Sequence, residues 1–277
     1  MTSTPRTALT IAGSDSGGGA GVQADLRTFF ANGVHGLVAL TAVTVQNSLG
    51  VQGFSEIPVD VVTAQIKAVA EDMGVNAAKT GMLATAEIIQ AVAKTLDEVH
   101  IGRATDTPFV VDPVAASMTG HALLREEALG AIRTELFPRA TLITPNLDEV
   151  RLLTGVRVTD AKSQHAAAEA LLEFGSQWVL VKGGHLYDAA DCVDLLTDGS
   201  AVIELSGPRI ETENTHGGGD TMASAITSSL AKGADVPTAV AEAKRFIERC
   251  VQEAYPLGAG VGPVSPFWRL ADATLAG

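Results

Sequence analysis

Short apolar runs alternate along this chain with longer segments in which apolar residues recur every three or four positions. Short runs are typical of strands buried on both faces of a parallel sheet, and the longer segments are typical of helices that cover such a sheet. The pattern predicts strands over residues 8–12, 36–45, 77–79, 109–111, 142–144 and 178–181, and a strand pair over 192–196 and 202–205 with Asp198-Gly199 at its turn. It predicts helices over residues 22–32, 61–73, 87–100, 125–136, 161–174, 220–231 and 236–254.

This alternation predicts an α/β fold of three layers, with a mostly parallel central sheet flanked by helices. Because no linker, repeat or low-complexity tract interrupts the pattern, we expect one domain over residues 1–277. Ligands of such folds gather at the carboxyl ends of the strands. Polar residues that directly follow predicted strands are therefore the first candidates for a site: Gly13-Ser14-Asp15, Gln46-Asn47, Asp112, residues 146–149, Lys182 and His185.

Net charge and composition indicate which classes of binding partner the protein is suited to. The formal net charge is −13 and no cluster of Lys or Arg occurs, which argues against a nucleic-acid binder and against attraction to anionic membranes. Residues 1–12 lack the pattern of a signal peptide, and no apolar run approaches the length of a spanning helix. Only two cysteines are present, as expected for a reducing compartment, so we expect a cytoplasmic protein.

The first glycine run spans residues 16–21 and contains Gly19-x-Gly21-x-x-Ala24, a variant of the dinucleotide-binding fingerprint. The glycines stand several residues beyond the predicted strand, and the acid expected about 20 residues later is missing, because the next strand ends in Gln46-Asn47. A nicotinamide-dependent oxidoreductase is therefore an alternative class with weak support. A turn that enters a helix and a role beside the substrate remain equally open for this run.

The second glycine run, Gly217, Gly218 and Gly219, precedes a predicted helix and is followed by Asp220. Three glycines at a helix start expose successive N–H groups at the positive end of the helix, which is a ready site for an anion. On spacing alone, Asp220 is equally a capping residue or a catalyst. A carboxylate beside an anion site is unfavourable unless it serves a reaction, so we favour Asp220 as the base in phosphoryl transfer to an alcohol.

Other candidates complete such a site. Lys182 ends an apolar strand before two glycines and is a candidate to bind phosphate. Asn146 and Glu149 have the spacing either to orient Mg²⁺ through water or to cap a helix, and both interpretations stay open. Asp112 precedes Pro113 and is equally a turn residue or an acid on the metal side.

Eight segments, in this order, resemble the kinases that phosphorylate hydroxymethylpyrimidine and phosphomethylpyrimidine in thiamine biosynthesis, within the ribokinase superfamily. They cover nearly the whole chain: Leu9-Thr10-Ile11-Ala12-Gly13-Ser14-Asp15, Gly18-Gly19-Ala20-Gly21-Val22-Gln23-Ala24-Asp25, Val45-Gln46-Asn47, Lys79-Thr80-Gly81-Met82-Leu83, Thr144-Pro145-Asn146-Leu147, Val181-Lys182-Gly183-Gly184-His185, Asn214-Thr215-His216-Gly217 and Gly260-Val261-Gly262-Pro263-Val264.

The resemblance implies a three-layer ribokinase-like fold, ATP as co-substrate, Mg²⁺ and a homodimer. It also implies that Asp25 and Gln46 hydrogen-bond an aminopyrimidine, that Gly13 and Met82 line its pocket, and that Thr215 contacts ATP. Asp220 departs from the Cys that these kinases commonly carry and matches the sugar kinases and many pyridoxal kinases. A pyridoxine or pyridoxal kinase is therefore the nearest alternative, and an inactive pyrimidine sensor is a third.

Overall fold

The structure is a computed structural model that describes residues 4–115, 126–184 and 191–270. The strands are β1 (Thr7–Ser14), β2 (His35–Asn47), β3 (Gly50–Glu56), β4 (Ala77–Thr80), β5 (Phe109–Val111), β6 (Leu142–Ile143), β7 (Trp178–Val181), β8 (Asp191–Thr197) and β9 (Val202–Pro208). The helices are α1 (Gly21–Ala31), α2 (Val59–Asp72), α3 (Ala86–Glu98), α4 (Glu126–Ala131), α5 (Leu147–Thr154), α6 (Ala161–Leu172), α7 (Gly218–Ala231) and α8 (Val236–Gln252).

The strands of the described ranges form one sheet in the order β3-β2-β1-β4-β5-β6-β7-β8-β9. The pairings from β2 through β1 and β4 to β7 are parallel. The outer strands β3, β8 and β9 pair antiparallel with their neighbours. The predicted mostly parallel sheet is confirmed, and so is the predicted antiparallel strand pair.

Successive residues of the central strands point into two separate cores, which explains why these strands are apolar without interruption. In β5, Phe109 and Val111 pack in the core beneath α2 to α6, whereas Val110 packs in the core beneath α1, α7 and α8. In β7, Val181 packs in the first of these cores and Leu180 packs in the second. Helices cover both faces because both faces of these strands are apolar.

Two elements of the fold were not predicted from the sequence. Strand β3 has no buried residue and contains Gly50 and Gly53, so it lacks the apolar pattern of a covered strand. Helix α5 has only eight residues, which is too short for a clear helical period.

Two helices also differ from their predicted bounds. Helix α7 starts at Gly218, two residues before the predicted start, because glycines form its first turn. The predicted helix 125–136 is described from Glu126. It is α-helical only to Ala131 and then continues as a π turn over Ile132–Leu136 and a 3₁₀ turn over Phe137–Arg139.

The carboxyl ends of the parallel strands meet on one edge of the sheet, as expected. Residues that follow them include Asp15 after β1, Gly81 after β4, Asp112 after β5 and Lys182 after β7. The start of α7 lies at this same edge, since a side chain added at Gly219 would contact Lys182 and Asp112. Among the helices of the described ranges, none is long and apolar enough to cross a membrane.

Candidate active site

The N-terminus of α7 has no side-chain cap. Its N-cap is Gly217, in the left-handed conformation with a φ of 73°. By contrast, side chains cap the N-termini of four other helices, α3, α5, α6 and α8, through Thr85, Asn146, Asp160 and Asp235. The first N–H groups of a helix have no intrahelical acceptor. In α7 the Gly218 N–H donates to the Thr215 carbonyl at 3.1 Å, and the N–H groups beside it are the donors presented at the positive end of the helix.

Gly217 is also required by a close backbone approach. A Cβ atom at this position would lie 1.9 Å from the carbonyl oxygen of Gly19, in the first glycine run. A Cβ atom at Gly19 would in turn lie 2.2 Å from Cδ2 of His216. The two glycine runs, separated by about two hundred residues of sequence, therefore pack directly against each other.

Asp220 does not cap α7, so the capping interpretation is wrong for this residue. It lies in the first turn, after the N-cap, and its Oδ1 is 3.9 Å from Nζ of Lys79. Its side chain is 16% exposed, which leaves it reachable from the site. Burial raises the pKa of Asp220 to about 6; Lys79 opposes this shift, and the charges of Asp25 and Asp112 add to it. A carboxyl group with such a pKa is well suited to accept a proton near neutral pH.

Lys182 and Asp112 lie beside the same helix start. Lys182 Nζ is 3.2 Å from Asp112 Oδ1, which also accepts a hydrogen bond from Thr144 Oγ1 at 3.1 Å. Burial by itself would lower the pKa of Lys182, but the neighbouring carboxylates Asp112 and Glu149 raise it, so the side chain stays a cation. A Cβ atom at Gly219 would lie 3.5 Å from Lys182 Nζ and 3.7 Å from Asp112 Oδ2. Glycine thus keeps open the space between the helix start, the cation and the acid.

Asn146 and Glu149 form a capping box at the start of α5, which is one of the two interpretations left open by the sequence. Asn146 Oδ1 accepts from the Glu149 N–H at 2.9 Å, and Glu149 Oε2 accepts from the Asn146 N–H at 2.8 Å. Glu149 Oε1 accepts from the Ala115 N–H at 3.1 Å. Burial raises the pKa of Glu149 to about 7, which Lys182 opposes and Asp112 reinforces.

Gly13, Met82 and Gln46 line the part of the edge near β1, β2 and β4. A Cβ atom at Gly13 would lie 3.2 Å from Cε of Met82, so glycine leaves room over the methionine side chain. Gln46 is partly exposed, and its Nε2 lies 3.4 Å from Nε2 of His216. The adjacent Gly81 faces Asp220, because its Cβ atom would lie 3.8 Å from Asp220 Oδ1. The predicted pocket residues and the predicted base therefore lie next to one another.

Asp25 is placed differently from the sequence expectation. It is fully buried, and its oxygens accept hydrogen bonds from Thr10 Oγ1 at 2.6 Å, Lys79 Nζ at 2.8 Å and Ser224 Oγ at 2.5 Å. A carboxylate without accessible surface cannot present an oxygen to a ring in the pocket. The direct contact expected for Asp25 is replaced here by an internal ion pair.

Asp15 organises the first glycine run, a role that the sequence did not reveal. Its carboxylate accepts hydrogen bonds from the N–H groups of Gly17, Gly19 and Ala20 at 2.8 to 2.9 Å. His216 Nε2 lies 2.9 Å from Asp15 Oδ2. Burial would raise the pKa of Asp15, but His216 and these N–H groups outweigh it and lower the pKa.

This carboxylate also bears on the nicotinamide alternative. Since Gly17, Gly19 and Ala20 direct their N–H groups at Asp15, these groups are not available to a pyrophosphate. The fingerprint-like spacing thus does not build a dinucleotide site here.

The last resembling segment holds the loop before α7. The His216 N–H donates to the Gly262 carbonyl at 3.0 Å, and the Val264 N–H donates to the His216 carbonyl at 3.1 Å. Asn214 Oδ1 accepts from the Gly262 N–H at 3.0 Å. Thr215, the predicted ATP contact, is exposed on this loop. His185, another sequence candidate, lies outside the described residues.

Known proteins are similar to this chain in sequence and in fold. Residues 15–265 match the family described as phosphomethylpyrimidine kinase. A hydroxymethylpyrimidine/phosphomethylpyrimidine kinase of Mycobacterium leprae (strain TN) is 55% identical over 270 residues, covering 96% of this chain and 95% of that protein.

Two solved structures are similar over almost their full length. An ADP complex of Bacillus subtilis pyridoxal kinase has a TM-score of 0.87 and 39% identity, covering 96% of this chain and 100% of that one. A phosphomethylpyrimidine kinase of Clostridium difficile 630 has a TM-score of 0.76 and 37% identity, covering 88% of this chain and 98% of that one. The predicted ribokinase-like fold is confirmed, and the chain belongs to the phosphomethylpyrimidine kinase family.

Proposed function

We propose that this chain transfers the γ-phosphoryl group of ATP to the hydroxymethyl group of 4-amino-5-hydroxymethyl-2-methylpyrimidine, and then phosphorylates the monophosphate to the diphosphate. The observation that carries the proposal is the juxtaposition of Asp220 with the uncapped start of α7 and with Lys182. Relatives at 44–55% identity bear the name hydroxymethylpyrimidine/phosphomethylpyrimidine kinase. A kinase with all these groups in place is not the inactive sensor considered from the sequence.

Each group has a part in the transfer. Asp220 accepts the proton of the substrate hydroxyl group while the oxygen of that hydroxyl forms a bond to the γ-phosphorus. The bond from the γ-phosphorus to the oxygen that bridges it to the β-phosphorus breaks, and ADP is released. The N–H groups at Gly217 and Gly219 stabilise negative charge on the transferred phosphoryl group. The N–H group of Gly218, predicted for the same role, instead donates to the Thr215 carbonyl at 3.1 Å. Lys182 neutralises charge on the phosphates as a point cation. Gln46, Gly13 and Met82 orient the pyrimidine, while Thr215 and Asn146 lie on the side proposed for ATP.

The donor set suits Mg²⁺ held mainly through phosphates. Within the described ranges no group of three or more His, Cys, Asp or Glu side chains is arranged to hold a metal. Mg²⁺ commonly binds one or two carboxylates together with substrate phosphates and water. Asp112 faces the open space at Gly219, and Glu149 lies behind it with both oxygens bonded to backbone N–H groups. When bound, the ion would neutralise charge on the phosphate oxygens, with Asp112 as its nearer ligand and Glu149 acting through water.

The substrate assignment is tested by a coupled ADP-release assay with ATP and Mg²⁺, in which hydroxymethylpyrimidine and pyridoxal are compared and phosphates are counted per acceptor. Pyridoxal is the comparison because pyridoxal kinases share this fold at 34–39% identity. We expect two phosphates on each pyrimidine and much slower turnover of pyridoxal. Phosphate on pyridoxal alone would refute the substrate assignment and keep the mechanism. A reaction without acceptor controls for ATP hydrolysis.

The role of Asp220 is tested by the substitution Asp220→Asn, which keeps the size and removes the base. We expect turnover to fall by roughly 10²- to 10⁴-fold with ATP affinity unchanged, because the base acts in the chemical step. Wild-type turnover should itself fall below about pH 6, where Asp220 becomes protonated. Initial rates across pH and a nucleotide titration measure both effects. Asp60→Asn, an exposed acid in the first turn of α2, is the matched control, and near-normal turnover of Asp220→Asn would rule out the base.

The anion site is tested by Gly219→Ala. The added methyl group would make ordinary contacts with Lys182 and Asp112, and alanine favours a helix, so thermal stability should be kept. The same methyl group would occupy the space proposed for phosphate, and we expect kcat/KM for ATP to fall by about 100-fold. Gly130→Ala in α4, where an added Cβ meets nothing within 4 Å, is the control. Unchanged kinetics in Gly219→Ala would place the phosphates elsewhere.

We also propose that residues 1–277 form one domain, that the enzyme is cytoplasmic and that two copies form a homodimer. Val43 and Val45, two positions apart on one face of β2, are 44% and 59% exposed beside the edge strand β3. Exposed apolar side chains that lie together on one face of a sheet are a typical contact for a second copy. We expect sedimentation to give a dimer for the wild type and a monomer for Val45→Lys. Val202→Lys, at the opposite edge, should stay dimeric; a Val45→Lys dimer would exclude this surface.

A further inference from the structure

Lys79 is a charged side chain in the interior, and the mechanism above gives it no role. It lies in β4 and is fully buried, with 0% of its side chain exposed. A buried ammonium group is costly unless it is paired. Burial by itself would lower the pKa of Lys79, but Asp25, Asp220 and Asp112 raise it, so the group stays charged.

Asp25 holds this ammonium group in place. The Lys79 Nζ to Asp25 Oδ1 distance is 2.8 Å, and Asp25 is itself held by Thr10 from β1 and by Ser224 from α7. Three elements of the fold therefore converge on one carboxylate that no ligand can reach. Such a network fixes the position of Nζ rather than contacting substrate.

From this fixed position Lys79 also faces Asp220. The distance from Lys79 Nζ to Asp220 Oδ1 is 3.9 Å, which is an ion-pair distance and longer than a hydrogen bond. A Cβ atom at Gly81 would lie 3.8 Å from each of these two atoms. Glycine thus leaves the ammonium group and the carboxylate open to each other. Ser224, one helical turn after Asp220, joins the same helix to Asp25.

Several charged groups act on the ionisation of Asp220, and Lys79 is the cation with the largest effect. Asp25 from α1 and Asp112 from the end of β5 are negative, and both favour the protonated form of Asp220. Lys182 after β7 pairs with Asp112 and also interacts electrostatically with Asp220, whereas His216, in the loop before α7, lies against Asp15. Lys79 opposes the effect of burial on Asp220 more strongly than His216 does. One ammonium group therefore serves two carboxylates, one structural and one reactive.

We propose that Lys79 is a positioning residue for phosphoryl transfer: Asp25 anchors its ammonium group beneath Asp220, and that group holds the Asp220 carboxylate ionised and oriented toward the acceptor hydroxyl. The proposal rests on the proposed role of Asp220 as the base. It also replaces the expected contact of Asp25 with substrate by an indirect role through Lys79.

The test perturbs the two charges separately and follows the acidic limb of the kcat–pH profile. Lys79→Met removes the positive charge that favours ionised Asp220. The limb should therefore move to higher pH and kcat near neutral pH should fall several-fold, because an opposite charge nearby stabilises an ionised carboxyl group. Asp25→Asn removes a negative charge and leaves Lys79 to Asp220, so the limb should move to lower pH. The double variant should lie between Lys79→Met and the wild type, since Lys79 has the larger effect on Asp220.

Lys244→Met is the matched control. Lys244 is also a buried lysine, and it pairs with Asp194 at 2.9 Å, away from Asp220. It should lower thermal stability without moving the limb. If Lys79→Met does not fold, the downward shift in Asp25→Asn carries the test alone. An acidic limb that stays in place in every folded variant of Lys79 and Asp25 would show a purely structural pair and overturn the proposal.

A second readout separates this proposal from the proposed function. The titration of the Asp220 side-chain carboxyl can be followed by NMR without substrate, with Asp220→Asn identifying its signal. Opposite shifts of that titration in Lys79→Met and Asp25→Asn are expected whatever the acceptor is. Full turnover in Asp220→Asn would refute the base itself, whereas an inactive Asp220→Asn with no shift of the titration in the other variants would refute only the role of Lys79.

Discussion

The site depends on the balance of charge at the carboxyl edge of the sheet, where Asp25, Asp112, Glu149 and Asp220 are gathered in or near the interior. Two ammonium groups hold them there: the fully buried Lys79 between Asp25 and Asp220, and the partly buried Lys182 beside Asp112. Buried carboxylates without such partners would be neutral or would destabilise the fold. The same cations set which of the acids is available for reaction, so the stability of the edge and its chemistry have one origin.

This arrangement also explains how a chain with a net charge of −13 is suited to a polyanionic co-substrate. The attraction is local, since it comes from the uncapped start of α7 and from Lys182. Glycine at positions 217 and 219 is required for different reasons. The first allows two loops to touch, and the second keeps a volume open between a cation and an acid. The acidic surface elsewhere does not need to contribute.

Much of the fold followed from periodicity, because strands buried on both faces and helices with one apolar face leave strong patterns. Strand β3 left none, since it is exposed along its length, and α5 was too short. The site was partly predictable: Asp220, Lys182, Asp112 and the glycines of α7 are indeed brought together.

The sequence alone does not show whether a polar side chain faces the ligand or the interior of the protein. Asp25 was expected to face the ligand, but it is fully buried and paired with Lys79. Asp15 stands two residues before Gly17, a spacing typical of a side chain that accepts its own loop's N–H groups. This spacing alone did not reveal the role of Asp15, because its further hydrogen bonds to Gly19 and Ala20 and its contact with the distant His216 appear only in the folded structure.

The loop that leads into α7 is held by hydrogen bonds between His216 and the backbone of Gly262 and Val264. This tie has a consequence for biosynthesis. A nascent chain that has emerged from the ribosome only as far as α8 contains the strands of the described sheet, but it lacks the backbone that holds this loop. Because Gly262 and Val264 follow α8 along the chain, the loop before α7 gains these two hydrogen bonds only after α8 has been made.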